Sequence, residues 1–186
     1  MTVSGIFPAL LGLAIAAFML YFPYFWCGRR GESEESYGLR WYMRRGAWRD
    51  TAVAVLGTLI PLTFVSMHWP SEWGGAGPFN PSAWKALNML GGGVAAAFIE
   101  ETFYRGWLQT LATRKWGAWI SVPLVSLLFA LSHLFVAPGW LRVATFFPGL
   151  VMGLLRHRNG SVLPSILYHG ICNVWAVWWA PRIPGL

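Results

Sequence analysis

Two adjacent carboxylates and an arginine, Glu100, Glu101 and Arg105, sit inside the apolar run Ala95-Ala96-Ala97-Phe98-Ile99-Glu100-Glu101-Thr102-Phe103-Tyr104-Arg105-Gly106-Trp107-Leu108. On insertion scales an ionised side chain at the centre of a membrane helix costs about 2.5–3.5 kcal/mol. A chain that keeps three of them pairs them, wets them or uses them. Residues four apart share a helix face, so Glu101 and Arg105 can form an internal ion pair. Glu100 lies about 100° around the helix from Glu101 and lacks that partner. It is the free carboxylate.

Other groups of the right kind follow in later apolar runs. His133 comes one turn after Phe129, on the same face, and His169 and Asn173 are four apart and again share a face. A buried carboxylate can act as a general base, and an imidazole beside it can share a water's proton. An imidazole N–H and an amide N–H can hold a developing oxyanion. Together these groups make a kit for water attack on an amide. Ser132 adjoins His133 and Cys172 adjoins Asn173, but neighbouring helix positions point about 100° apart, which disfavours a serine or cysteine nucleophile. Glu, His and His can bind zinc. No His-Glu-x-x-His occurs, however, and Asn is a poor zinc ligand, so no cofactor is expected and zinc is not favoured.

These residues need a scaffold, and the composition names its class. Hydrophobic residues make up 56% of the 186-residue chain and charged ones only 11%, too few to cover a soluble domain of this size. The expected fold is all-α, a polytopic transmembrane helix bundle with about six spans. The spans are read at Ile6–Trp26, Ala52–Trp69, Trp84–Leu111, Trp119–Ala137, Arg142–Leu155 and Ser161–Ala180. The fifth is short and split by Pro148 and Gly149. Pro70–Pro81 is a Gly/Pro loop, Pro138–Leu141 a tight turn and Pro181–Leu186 a tail. Residues 1–83 form two leading spans with an arginine-rich loop. Residues 84–180 form a four-span core, within one structural domain.

The basic balance is not a nucleic-acid signature, because the arginines fall in short loops and form no aromatic-interleaved patch. Arg29 to Arg49, Arg114 with Lys115, and Arg156 with Arg158 follow spans one, three and five. The positive-inside rule places these loops in the cytoplasm and both termini outside. Cys27 and Cys172 read as buried thiols. His68 reads as interfacial, and His157 as solvated.

Taken in order, Glu100-Glu101-x-x-x-Arg105, Phe129-x-x-x-His133 and His169-x-x-x-Asn173 resemble the CPBP family of intramembrane proteases. That family includes the Rce1-like CAAX prenyl proteases and bacterial relatives linked to bacteriocin self-immunity. The resemblance covers roughly Trp84 to Trp179. It extends to Arg105-Gly106, to Ser126 ahead of Phe129 and to Asn159-Gly160-Ser161. It implies a glutamate-type intramembrane endopeptidase without metal. In it Glu100 is the base, His133 assists on the same water, and His169 with Asn173 forms the oxyanion hole. Glu101 and Arg105 orient the site.

The implied partners are the lipid bilayer and a membrane-anchored protein or peptide substrate. The implied location is the bacterial inner membrane. The small size resembles the myxosortase-like members that process C-terminal sorting tails. Two other classes fit the same residues: a non-catalytic immunity or scaffold protein that binds a peptide in the cavity, and a proton or ion pathway. The sequence does not set the substrate or the oligomeric state.

Overall fold

The computed structural model describes residues 3–70, 72, 81–136 and 140–179, and among them it contains helices and no strand. The expected loop at 71 and 73–80, the turn at 137–139 and the tail from 180 onward lie outside the described residues. The helices are α1 (Val3–Arg30), α2 (Ala47–Met67), α3 (Ala83–Glu101), α4 (Gln109–Trp116), α5 (Ala118–Val136), α6 (Phe146–Asn159) and α7 (Leu163–Trp179). A π-helical segment, Thr102–Leu108, joins α3 to α4, and short 3-10 turns precede α2 (Glu34–Tyr37) and α6 (Trp140–Thr145).

Among the described residues, three helices are long and apolar enough to cross a bilayer: Phe7–Arg30, Ala47–Met67 and Ala118–Phe135. The first two keep most of their side chains outward, with Phe7, Leu13, Val53 and Ile60 more than half exposed. Such a face suits lipid, which solvates apolar side chains and leaves every backbone group to bond within its own helix. The polar groups of α3 and the shorter α7 are turned toward each other. Gly93 permits the close approach: a Cβ there would stand 3.0 Å from Asn173 Cβ.

The structure corrects three boundaries. The third span is not one uniform helix, because it widens to π winding at Thr102, immediately after the glutamate pair. Gln109 N–H bonds the Tyr104 carbonyl, five residues back. Such turns recur at functional sites. The fifth span is shifted, so that α6 starts at Phe146 and runs through Arg156, His157 and Arg158, which were expected in a loop. Pro148 therefore does not split it. It falls in the first turn, where its missing N–H would have had no intrahelical partner. Gly160, at φ +68°, then closes α6 with its N–H on the Arg156 carbonyl.

The third correction concerns the arginine-rich loop, which folds inward. Tyr37 is fully buried and Leu39 nearly so. The Tyr37 hydroxyl accepts from Trp26 Nε1 at 3.0 Å and from Arg114 Nη1 at 3.2 Å. Val162 N–H donates to the Gly38 carbonyl, and Ser161 Oγ donates to the Arg40 carbonyl at 2.8 Å. A Cβ on Gly106 would lie 2.5 Å from Leu39 Cδ2, so only glycine lets the loop reach the helix that carries Arg105. From the other side, α1 braces the π segment with rings: Phe22 packs edge-on to Trp107 at 5.1 Å, and Phe18 tilts against Phe103.

Candidate active site

The last turn of α3 and the π turn after it bring Glu101 and Arg105 fully inside the protein. The expected pair forms, with Arg105 Nη1 donating to Glu101 Oε1 at 3.1 Å and neither side chain exposed. Arg105 Nη2 also donates to the Gly149 carbonyl of α6 at 3.2 Å. Gly149 leaves the room for this, since a Cβ there would stand 3.3 Å from Nη2 and 3.1 Å from Ser126 Cβ. The guanidinium lies 4.3 Å from the centre of the Phe129 ring, a desolvated cation–π contact.

Glu101 has a second partner. His169 Nδ1 is 3.0 Å from the same Oε1. A carboxylate oxygen only accepts, so Nδ1 carries the proton. The imidazole is thereby turned so that Nε2 points at Glu100, 3.9 Å from its Oε2. That distance is too long for a direct hydrogen bond. Glu100 Oε2 has no hydrogen-bond partner among the described residues, and the side chain keeps 26% of its surface accessible while Glu101 keeps none. One carboxylate is fixed by two donors, and its neighbour is left half-open beside an imidazole.

His133 is fixed in the same manner. Its Nδ1 is 2.9 Å from the Phe129 carbonyl, so that nitrogen donates and Nε2 is left for other work. His133 lies within electrostatic range of Glu100. Phe129 is the common wall of the cluster. Its ring meets Tyr104 at 5.3 Å, His133 at 4.6 Å and His169 at 5.7 Å, all near edge-on. Ser132 donates to the Phe129 carbonyl rather than to His133. Cys27 and Cys172 are both free thiols.

Asn173 faces α3, but it is occupied. Its Nδ2 donates to the Gly93 carbonyl at 2.8 Å. Gly93 precedes Glu100 by seven residues, about 10 Å along a helix, so Asn173 sits further from the free carboxylate than His169 does. Among the described residues, no three His, Cys, Asp or Glu side chains gather at metal-ligating geometry. Sequence reasoning missed the Gly149 and Gly93 carbonyls as acceptors for this cluster. No residue type signals that role, which depends on which helices meet.

A groove of about 570 Å³ lies on the outer side of α5 and α6, lined by Pro123, Leu124, Leu127, Val143, Phe146 and Phe147 among others. It contains none of the site residues. Its apolar lining faces the same way as the lipid-facing rings of those helices.

Fold and site together define a helical, integral membrane protein that shelters an acid–imidazole cluster between its helices. A family model described as type II CAAX prenyl endopeptidase Rce1-like matches residues 82–175, and the chain belongs to that family of CAAX-type intramembrane endopeptidases. The matched span runs from the N-cap of α3 into α7 and contains every residue of the cluster. No curated protein and no solved structure matches the chain.

Proposed function

We propose that the chain hydrolyses a peptide bond near the hydrophobic or lipid-tethered C-terminal segment of a membrane protein, using a water activated by Glu100. The observation that carries this reading is the asymmetry of the glutamate pair. Glu101 is held by Arg105 and His169, whereas Glu100 Oε2 is unbonded and 3.9 Å from His169 Nε2, in a side chain that keeps 26% of its surface accessible.

In this mechanism Glu100 takes one proton from water, and His133 Nε2 steadies the same water. The hydroxide attacks the scissile carbonyl. The oxyanion is received by the second amide proton of Asn173 and by His169, whose Nδ1–H is spent on Glu101, so that its Nε2 donates only as the imidazolium. Glu100 then passes its proton to the departing amine, and the acid's own proton follows through Glu100, which leaves a carboxylate and an ammonium as products. Every proton is accounted for by side chains, so no metal is required. Activity that survives strong chelation is the expected result.

The favoured substrates are C-terminal sorting tails of the kind handled by myxosortase-like proteins. The favoured setting is the bacterial inner membrane, with both termini outside and the arginine-rich loop in the cytoplasm. The test compares the C-termini of membrane-anchored proteins, by mass spectrometry, in cells carrying the wild type or Glu100→Gln at matched protein levels. Shortened termini should vanish with the variant. A biological effect that persists unchanged would move the chain to the non-catalytic immunity or scaffold class.

A further inference from the structure

A second polar cavity, of about 210 Å³, lies where α4, α6 and the arginine-rich loop meet. Its lining includes Ser36, Thr110, Thr113, Arg114, Arg156 and His157. The proposed chemistry uses none of them.

The two arginines differ in a way that decides what the cavity can hold. Arg114 is neutralised, bonded to the Glu32 carboxylate, to Ser36 Oγ at 3.1 Å and to the Tyr37 hydroxyl. Among the described residues, Arg156 has no carboxylate partner. Its one hydrogen bond is from Nη2 to Thr110 Oγ1 at 3.1 Å, and its Nε is shut from solvent without a partner. The like charge of Arg40, whose own Nε is also unpartnered, acts on it. Gly38, at φ +67°, makes the slot: a Cβ there would lie 2.2 Å from Arg156 Cζ. The protein thus holds a guanidinium in place with most of its donors unspent. Its buried Nε is costly to leave unpaired, and the donors that stay open to the cavity are available to an anion.

The level of the cavity indicates which anion. α4 ends and α5 begins within a few residues of Arg114, and there Trp116 and Trp119 are exposed, Trp119 at 93%. Exposed tryptophans at helix ends mark the plane of the lipid headgroups. Arg44, Arg49 and Arg158 crowd the single carboxylate of Asp50 on the same side, so the rim carries excess positive charge. A guanidinium fork recognises phosphate oxygens in pairs.

We propose that this cavity binds the phosphate of an anionic phospholipid headgroup, gripped by the guanidinium donors of Arg156 that face the cavity. The bound lipid seals the joint between α4 and α6. That joint is also held by Arg156 on Thr110 and by Gln109 Nε2 donating to the Gly153 carbonyl at 2.9 Å, one turn from Arg105.

The test is native mass spectrometry of the full chain, released from nanodiscs of equal phosphatidylglycerol and phosphatidylcholine. The wild type should retain phosphatidylglycerol in preference. Arg156→Gln should cut that preference about tenfold, the scale of a lost charge-assisted pair. Arg49→Gln, which removes the same charge from the exposed rim, should cut it about twofold or less. Arg156→Lys, which keeps the charge and loses the fork, should fall between them. It also decides the matter alone if the glutamine variant does not fold, because an unchanged preference in it overturns the site. Equal losses in Arg156→Gln and Arg49→Gln would overturn it too, by reducing the binding to diffuse attraction. A fourth arm adds inorganic phosphate to the lipid-free protein in detergent. If phosphate raises the melting temperature of the wild type but not of Arg156→Gln, and phosphatidylglycerol shows no preference, the ligand is free phosphate and the lipid assignment falls.

Discussion

Two charged regions of this molecule treat their ions differently. Around Phe129, Glu101 and Arg105 are both fully buried and nearly every donor has a named acceptor: Arg105 on Glu101 and Gly149, His169 on Glu101, His133 on the Phe129 carbonyl. At the loop end the pairs are exposed and shared, with Asp50 facing Arg44, Arg49 and Arg158, and Glu32 facing Arg30 and Arg114. The difference follows from solvent. A charge out of water must be fully partnered or it unfolds the protein, whereas a charge at the rim is screened and can tolerate loose partners. Each region nonetheless keeps unpaired atoms, Glu100 Oε2, Glu101 Oε2 and Arg105 Nε in the first and the Nε of Arg40 and Arg156 in the second. Among these, Glu100 Oε2 and Arg156 Nε belong to side chains without a close ion-pair partner among the described residues. Where a network is otherwise satisfied, the unsatisfied member points to a ligand.

The comparison is broken most severely by removing one half of the inner pair. Arg105→Leu or Glu101→Leu should destabilise the protein by about 3–5 kcal/mol, because each strands the other charge in the interior. Unfolding of the detergent-solubilised protein should show this, and the double variant should lose less than the sum of the singles. Glu100→Gln should leave that unfolding curve unchanged while lowering cleavage by about 10²–10⁴-fold, the range of a general base. A large stability loss from this variant would mean that Glu100 is structural after all. Gly149→Ala should cost about 1–3 kcal/mol, since the new methyl presses on Arg105 and Ser126 in a filled space.

The smallest effect is expected at the rim. The Arg114 guanidinium, and after it Arg30, holds the Glu32 carboxyl down to about 2 from an ordinary 4.5. A carboxyl lowered in the fold adds stability that is complete above its unfolded value and is lost as pH falls through its folded value. Glu32→Gln should therefore matter only slightly at neutral pH, and wild type and variant should converge between about pH 4.5 and 2. An effect as large as that of Glu101→Leu would erase the distinction between the two regions.

Much of the inner region was legible because lipid makes polar residues conspicuous. The four-residue spacing of Glu101 and Arg105 gave their pairing, and the leftover Glu100 followed from it. The family details around the motifs were legible as pattern but not as purpose. Gly106 gives room to Leu39, Ser126 packs on Gly149, and Asn159 accepts from Arg44 through Oδ1 at 3.0 Å while Ser161 ties down the Arg40 carbonyl. They are joints between segments distant in sequence, and spacing along a single helix carries no information about such meetings. The inward fold of the arginine-rich loop was illegible for the same reason. Tyr37 lies among glutamates and serines, and what buries it comes from α1 and α4.

The sequence alone determined the solvent and the chemistry. Its apolar length requires helices in lipid, and its few intramembrane polar groups can act only as acid, base and donor. Tertiary structure decided what else holds the paired carboxylate. Glu101 is neighbour to both Arg105 along the helix and His169 across it, and the second contact exists only because α3 and α7 approach at Gly93. Local periodicity fixes what a residue shares with its own helix. Which oxygen, ring nitrogen or carbonyl it meets on another helix is settled by packing.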